Sequence, residues 1–160
     1  MQIRKAIATD AESIADLFYN TVTSVNTKDY NPEQIAAWAN GRHPIEGWIK
    51  KIADQHFIVA QTGEELTGFA SITQEGYIDF TFVHHEWQGQ GIATKLLNGL
   101  LAYAAQHKLT RLTTHASITA RPFFEKQGFS MVKQQTVNVR GVYLTNFVME
   151  TLPGSSKQQG

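Results

Sequence analysis

The sequence predicts an α/β fold in which a mixed, mostly antiparallel sheet is flanked by helices. Short β-rich runs fall between helical stretches, three of these runs follow one another through tight turns, and one strong helix then links the third to a further strand. At 160 residues and 42% hydrophobic, the chain has enough apolar material for one domain with a real core. That domain is expected over residues 1–152, with the polar, Gly/Ser-rich "PGSSKQQG" of residues 153–160 as a flexible tail.

The elements follow in order. Ile3 to Ile7 alternates as a short strand, and Asp10 is expected to cap a helix from Ala11 to Val25 that buries Ile14, Leu17 and Phe18. In "DYNPEQIAAWANG", Asn31 is a cap, Pro32 takes the first helical position and Gly41 is the stop; a further helix covers Ile45 to Ala53. His56 to Gln61 and Leu66 to Thr73 form a hairpin through "TGEE", and Glu75-Gly76 turns the chain into Tyr77 to Val83. Along that third strand a period of two puts Tyr77, Asp79, Thr81 and Val83 on one face and Ile78, Phe80 and Phe82 on a core face.

Ile92, Leu96, Leu97, Leu100, Leu101 and Ala104 then recur at helical spacing. Arg111 to Ala116 is the next strand, which makes a right-handed crossover and a local parallel pair with Tyr77 to Val83. "TARPFFEKQGF" reads as a short helix with Pro122 early and Gly128 at its end, and "VNVRGVYLTNFVMETL" as one or two strands broken at Gly141.

Fourteen basic residues balance fourteen acidic ones, so the chain lacks the basic field that nucleic acid or an anionic membrane requires. Cysteine is absent, which excludes a disulfide framework, a thiolate metal site and a cysteine nucleophile. The start "MQIRKAIATDAES" has no apolar signal region and no segment is apolar for long enough to span a bilayer, so a cytoplasmic protein is expected.

The chemistry concentrates in "QGQGIATK", where Gln88-Gly89-Gln90-Gly91 opens the strong helix. Glycines allow positive φ and close ligand approach, and a first helical turn carries unpaired N–H groups and the positive end of the dipole. That suits phosphate oxygens. A nucleotide P-loop would need Gly-Lys-Ser/Thr, which "GIATK" lacks, and a dinucleotide fingerprint needs a downstream acid that is absent. A merely structural turn is the alternative.

Gln88, Gly91 and Ala93 match the motif Gln/Arg-x-x-Gly-x-Gly/Ala, with which the chain resembles the GNAT superfamily of acyl-CoA N-acyltransferases. "IDFTFVHHEW" resembles that family's central strand and "ASITARPFFEKQGF" its second cofactor segment, and the likeness runs from Ile3 to about Leu152. The resemblance implies a central mixed sheet of about seven strands whose parallel central pair splays apart. It also implies acetyl-CoA as cosubstrate and no metal. Amides of Gln88, Gly89, Gln90, Gly91, Ile92 and Ala93 would hold the pyrophosphate, and Val83 would bind pantetheine through its backbone. An N–H near Phe82 or Val83 would polarise the thioester carbonyl while an amine attacks directly. Ser117 and Phe124 would lie beside the cofactor.

Two positions depart from the family pattern. Phe124 stands where many relatives have a tyrosine that protonates the leaving thiolate, and Tyr143 is the candidate replacement, with a half-buried edge residue as the alternative. Ser117 stands in place of an Asn and is equally readable as a cap. Asp79, an acid in an apolar strand, is the candidate base or amine-binding anion, unless it is a carboxylate tied to a neighbouring side chain. Tyr30, Trp38 and His115 are candidate acceptor-binding residues, with a core-facing helix residue as the other reading of Trp38 and a packed, hydrogen-bonded histidine as that of His115. Adjacent His84 and His85 are expected to point in different directions and make a poor metal site, and Arg121 and Lys126 to be solvated unless they reach phosphate. The expected acceptor is a small-molecule primary amine, with a protein lysine or N-terminal amine, or a non-catalytic acyl-CoA sensor, as alternatives. A monomer and a homodimer both remain open.

Overall fold

The computed structural model describes residues 1–40 and 44–152. Strand β1 (Gln2–Lys5) leads through a tight turn into α1 (Ala11–Ser24), whose Ile14, Leu17, Phe18 and Val22 are buried at helical spacing. Asp10 precedes α1, but its side chain makes no cap bond to the helix. Its carboxylate instead accepts the Ile7 N–H at 2.8 Å and takes both guanidinium nitrogens of Arg4 at 2.9 Å. A carboxylate this buried requires a paired cation more than a helix end requires a cap.

The expected cap at Asn31 is present, since α2 (Pro32–Ala39) begins with a reciprocal box. Asn31 Oδ1 accepts the Gln34 N–H at 2.8 Å, and Gln34 Oε1 accepts the Asn31 N–H at 2.9 Å. Gly41, the expected stop, lies outside the described residues, and α2 ends on Asn40 in the left-handed region at φ 32°. Helix α3 (Ile45–Asp54) buries Trp48 and Ile52. The expected tail at 153–160 also lies outside the described residues.

Strands β2 (His56–Thr62), β3 (Glu65–Ile72) and β4 (Tyr77–Val83) form the antiparallel run. Helix α4 (Ile92–Gln106) crosses over to β5 (Leu112–Ser117), which lies parallel to β4. Helix α5 (Arg121–Lys126) precedes a long hairpin of β6 (Ser130–Val139) and β7 (Val142–Thr151), turning on Arg140 and Gly141 at φ 50° and 84°. The seven strands run in the order β1-β2-β3-β4-β5-β7-β6. β6 begins at Ser130, earlier than the sequence suggests. It is an edge strand whose first five residues are all exposed, so no apolar alternation marks it.

The sheet carries a core on each face. Leu96, Leu97 and Leu100 of α4 pack on Ile58, Ile72 and Met149, while Phe18 and Trp48 pack on Phe57 and Phe69 on the side of α1 and α3. Full burial of each such side chain contributes about 1.5–3 kcal/mol.

Two irregularities open the middle of the sheet. Parallel pairing between β4 and β5 spans only Tyr77 with Thr113 and Ile78 with Thr114, closed by Thr114 Oγ1 donating to the Ile78 carbonyl at 3.0 Å. Just beyond, β4 bulges against β3, because Ile72 pairs with Ile78 and Ser71 with Phe80, which leaves Asp79 as the extra residue. The bulge overturns the expected alternation along β4. Ile78 joins Val83 in the α4-side core, while Phe80 and Phe82 pack on the opposite core.

Arg4 and the Ile7 N–H hold the Asp10 carboxyl below its ordinary range. Its contribution is therefore complete above that range and lost as pH falls through the lower folded-state value. Asp10→Asn should cost about 1–3 kcal/mol at neutral pH by urea denaturation. The loss should shrink towards pH 3; an equal loss at both pH values would contradict the assignment.

Candidate active site

Beyond Ile78 the edge of β4 that faces β5 is open. The His84 N–H donates to Thr67 O at 2.9 Å, which fixes the alternation of the antiparallel ladder. The polar groups of Phe82 turn to β3, and those of Thr81 and Val83 turn into the gap. This corrects Phe82 as a source of a backbone N–H for a ligand; its side chain still faces the cavity. The Val83 carbonyl is already taken, by Gln88 Nε2 at 2.8 Å and Thr21 Oγ1 at 3.1 Å. The Gln88 side chain thereby ties the glycine loop to the end of β4, and only the N–H of Val83 is left for a ligand.

The loop itself rises from a short helical turn at His85–Trp87. Gly89 and Gly91 sit at φ 75° and 79°, and Gly91 is the N-cap of α4. A Cβ built at either glycine would meet nothing within 4 Å, so glycine is required here for backbone sign and the space in front is open. No backbone N–H from Gln88 to Thr94 donates to an acceptor among the described residues. This is a positive concavity ready for an anion with several oxygens. His84 and His85, expected to diverge, instead stack at 4.5 Å because the helical turn folds them together. With Glu86 they place their ligand atoms within 4.8 Å of one another. His84 Nδ1 accepts the Glu86 N–H at 3.0 Å, and its Nε2 lies 3.6 Å from the Glu65 carboxylate.

From this loop a cavity of about 530 Å³ runs through the gap to the face of the sheet covered by α1 and α2. A strand pair parted next to a helix N-terminus, with one continuous cavity joining them, narrows the possibilities sharply. Residues 26–151 match the model described as an acetyltransferase (GNAT) domain. The chain belongs to the GNAT family. It is an acetyl-CoA-dependent N-acetyltransferase of that family. It is 39% identical over 153 residues to the Escherichia coli (strain K12) protein named as the uncharacterized N-acetyltransferase YafP, covering 96% of this chain and 97% of that one. Among solved structures it resembles a GCN5-related N-acetyltransferase from Rhodopseudomonas palustris, at 28% identity and a TM-score of 0.90 over 94% of each chain. It also shares its fold with the PaiA N-acetyltransferase of Thermoplasma acidophilum, solved in complex with coenzyme A, at 18% identity and a TM-score of 0.78 over 94% of this chain and 98% of that one.

Within this GNAT fold most of the expected residues meet on the cavity wall. Asp79, carried outward by the bulge, is one. Its Oδ2 accepts from Lys51 Nζ at 2.9 Å and Gln55 Nε2 at 2.8 Å, and Lys51 Nζ also sits 5.3 Å above the Phe80 ring. Both partners come from the end of α3 and were not foreseen. Lys51 lies in the last turn of α3 and Gln55 is its extended C-cap residue, so both reach Asp79 from the helix end, which no local pattern marks. Oδ1 has no partner among the described residues.

Tyr30 lies at the opposite wall, 6% exposed, and its hydroxyl donates to Thr145 O at 2.7 Å while accepting the Ile118 N–H at 2.9 Å. It stitches β7 to the end of β5, and burial pushes its pKa up. Trp38 packs edge-on against it at 5.4 Å. Ser117 ends β5, and its Oγ accepts the Ala120 N–H at 3.0 Å, closing the turn ahead of α5. Phe124 is 3% exposed, wedged edge-to-face against Phe123 and Phe129. His115 is exposed on the wall, 3.5 Å from Gln135.

Tyr143 does not belong to this site. It is 64% exposed near the tip of the β6–β7 hairpin and lines no part of the cavity. Gln90 likewise keeps its side chain out of the cavity. The tyrosine on the wall beside Asp79 is Tyr77, edge-on to His115 at 5.1 Å and pushed up to about 12 by burial and by the Asp79 charge. Three further buried polar atoms on the wall, Thr81 Oγ1, Thr119 Oγ1 and Asn146 Oδ1, have no protein partner among the described residues.

Because Phe124 already lines the cavity, Phe124→Tyr should be accommodated with its hydroxyl facing that space. The thermal midpoint should stay within about 4 °C of the parent, equivalent to roughly 1 kcal/mol. A larger fall would show the position to be sealed.

Proposed function

We propose that this enzyme transfers the acetyl group of acetyl-CoA directly to the primary amine of a small-molecule acceptor within a ternary complex. The observation that carries this reading is the continuity of one cavity from the unpaired amides at the start of α4, through the β4–β5 gap, to the wall that holds Asp79.

The backbone N–H groups from Gln88 to Ala93 hold the diphosphate, with Gln90 contributing its main chain alone. The N–H groups of Thr81 and Val83, turned into the gap, act as the edge of a strand awaiting a partner and align the pantetheine. One of them points at the thioester oxygen, where it stabilises the negative charge that develops there. Bound acetyl-CoA supplies an activated acyl thioester. Asp79 is fixed by Lys51 and Gln55 through Oδ2 and offers Oδ1 to the acceptor amine, taking its proton directly or through water.

Phe124 cannot donate a proton. A thiolate, with a thiol pKa of about 8.5, leaves acceptably without one. The Tyr77 hydroxyl, at about 12, stays protonated throughout the neutral range and serves as a hydrogen-bond donor to the departing sulfur.

Calorimetric titration and a thiol-release assay test these assignments. Gly91→Val forces a β-branched residue into positive φ and displaces the loop amides; losing two charge-assisted bonds of about 1.5–3 kcal/mol each weakens coenzyme A binding by about 100-fold or more. Unchanged affinity would defeat the pyrophosphate assignment. Asp79→Asn should lower kcat by about 100-fold or more while coenzyme A affinity stays within threefold. A variant with normal kcat would remove Asp79 from proton transfer.

A further inference from the structure

The charges on the cavity wall select among amines. Among the described residues lining it, Asp79 is the one acid, and there is neither lysine nor arginine. Asp79 is also already paired with Lys51, so the wall presents no uncompensated anion. On the side away from the glycine loop the lining is mostly apolar, from Phe18, Trp38, Phe80, Val139, Leu144 and the Tyr30 ring, and its polar groups, on Asn26, Thr145 and Asn146, are uncharged. The Tyr30 hydroxyl is committed in both directions, to Thr145 and Ile118, and offers nothing to a ligand's charge.

Three consequences follow from ordinary desolvation. A second ammonium on the acceptor would meet rings, aliphatic carbons and a few neutral oxygens, with no second carboxylate among the described lining residues. A carboxylate on the acceptor would find no lysine or arginine among the described lining residues, since Lys51 is committed to Asp79. The reacting amine gains little from binding as an ammonium, so the neutral form must come largely from solution. At pH 7.5 an α-type amine of pKa 7.7–8.0 is neutral in roughly a third of molecules, whereas a lysine-type amine at 10.4 is neutral in roughly one in 800.

We infer that the acceptor is a small primary amine on an aromatic or branched aliphatic body, with an ammonium more acidic than that of lysine and with neither a carboxylate nor a second ammonium. The inference rests on the acetyl-transfer reading and deepens it. In the reaction the amine nitrogen bonds to the acyl carbon, the carbon–sulfur bond breaks, and one amine proton ends on the coenzyme A sulfur.

The test measures kcat/KM by thiol release at pH 7.5 for phenylalanine amide, phenylalanine, spermidine and an Nα-blocked lysine amide, with coenzyme A affinity measured on the same samples. Phenylalanine amide should exceed each of the others by at least tenfold. A Val137→Glu variant, placing a carboxylate at a half-buried wall position on edge strand β6, should raise spermidine relative to phenylalanine amide by tenfold or more at unchanged coenzyme A affinity. Preference for spermidine, lysine amide or free phenylalanine in the parent would overturn the inference while leaving acetyl transfer standing. So would a Val137→Glu variant with unaltered preference, or transfer confined to the N-terminus of an apolar peptide. Failure to bind coenzyme A, or binding without thiol release from any amine, would overturn both.

Discussion

After Ile78 the main chain of β4 has no neighbour on the side of β5, and its next polar groups on that side belong to Thr81 and Val83. An interior strand of a seven-stranded sheet carrying unpaired amides would ordinarily be a serious cost, because buried backbone donors require partners. Here the cost is localised. Thr114 closes the last rung, the bulge at Asp79 bends β4 where pairing stops, and Gln88 with Thr21 satisfies the carbonyl at the far end. What is left open is a short row of main-chain groups, the N–H and C=O of Thr81 and the N–H of Val83, leading to the start of α4. A ligand that is itself an extended amide chain ending in phosphates is complementary to that row.

The same opening decides which side chains have chemistry available to them. The bulge puts Asp79 and Phe80 on the same side of β4, so the acid reaches the cavity while α3 reaches the acid through Lys51 and Gln55. An ion pair at the floor and aromatic rings around the wall make the far end of the cavity close to charge-neutral, while the near end, ringed by loop amides, is positive. One cavity thus holds two environments, an anion cradle and an apolar pocket, with the parted strands between them.

Much of this was readable in the chain. The Asn31-Pro32 start of α2, the helical spacing of α4 and the glycine loop are local signals, since each depends on residues within a few positions of one another. The readings that failed depend on distant partners. Asp10 looks like a cap until Arg4 is seen across the turn. The alternation along β4 holds until β3 imposes a bulge, and nothing in "YIDFTFV" marks where. Tyr143 was a candidate on residue type alone, but its place near the hairpin tip keeps it in solvent, whereas Tyr77, two residues from Asp79, reaches the cavity through the sheet's own geometry. Lys51 and Gln55 are remote in sequence from every motif and become visible once α3 is laid over β4.

The central claim is that main-chain amides at the start of α4 converge on a diphosphate, and amide chemical shifts report on it directly. In a titration of the isotopically labelled protein with coenzyme A, the resonances of Gly89, Gln90, Gly91, Ile92 and Ala93 should move most, joined by Thr81 and Val83 along the gap. Saturable binding that leaves all of these unmoved would contradict the account.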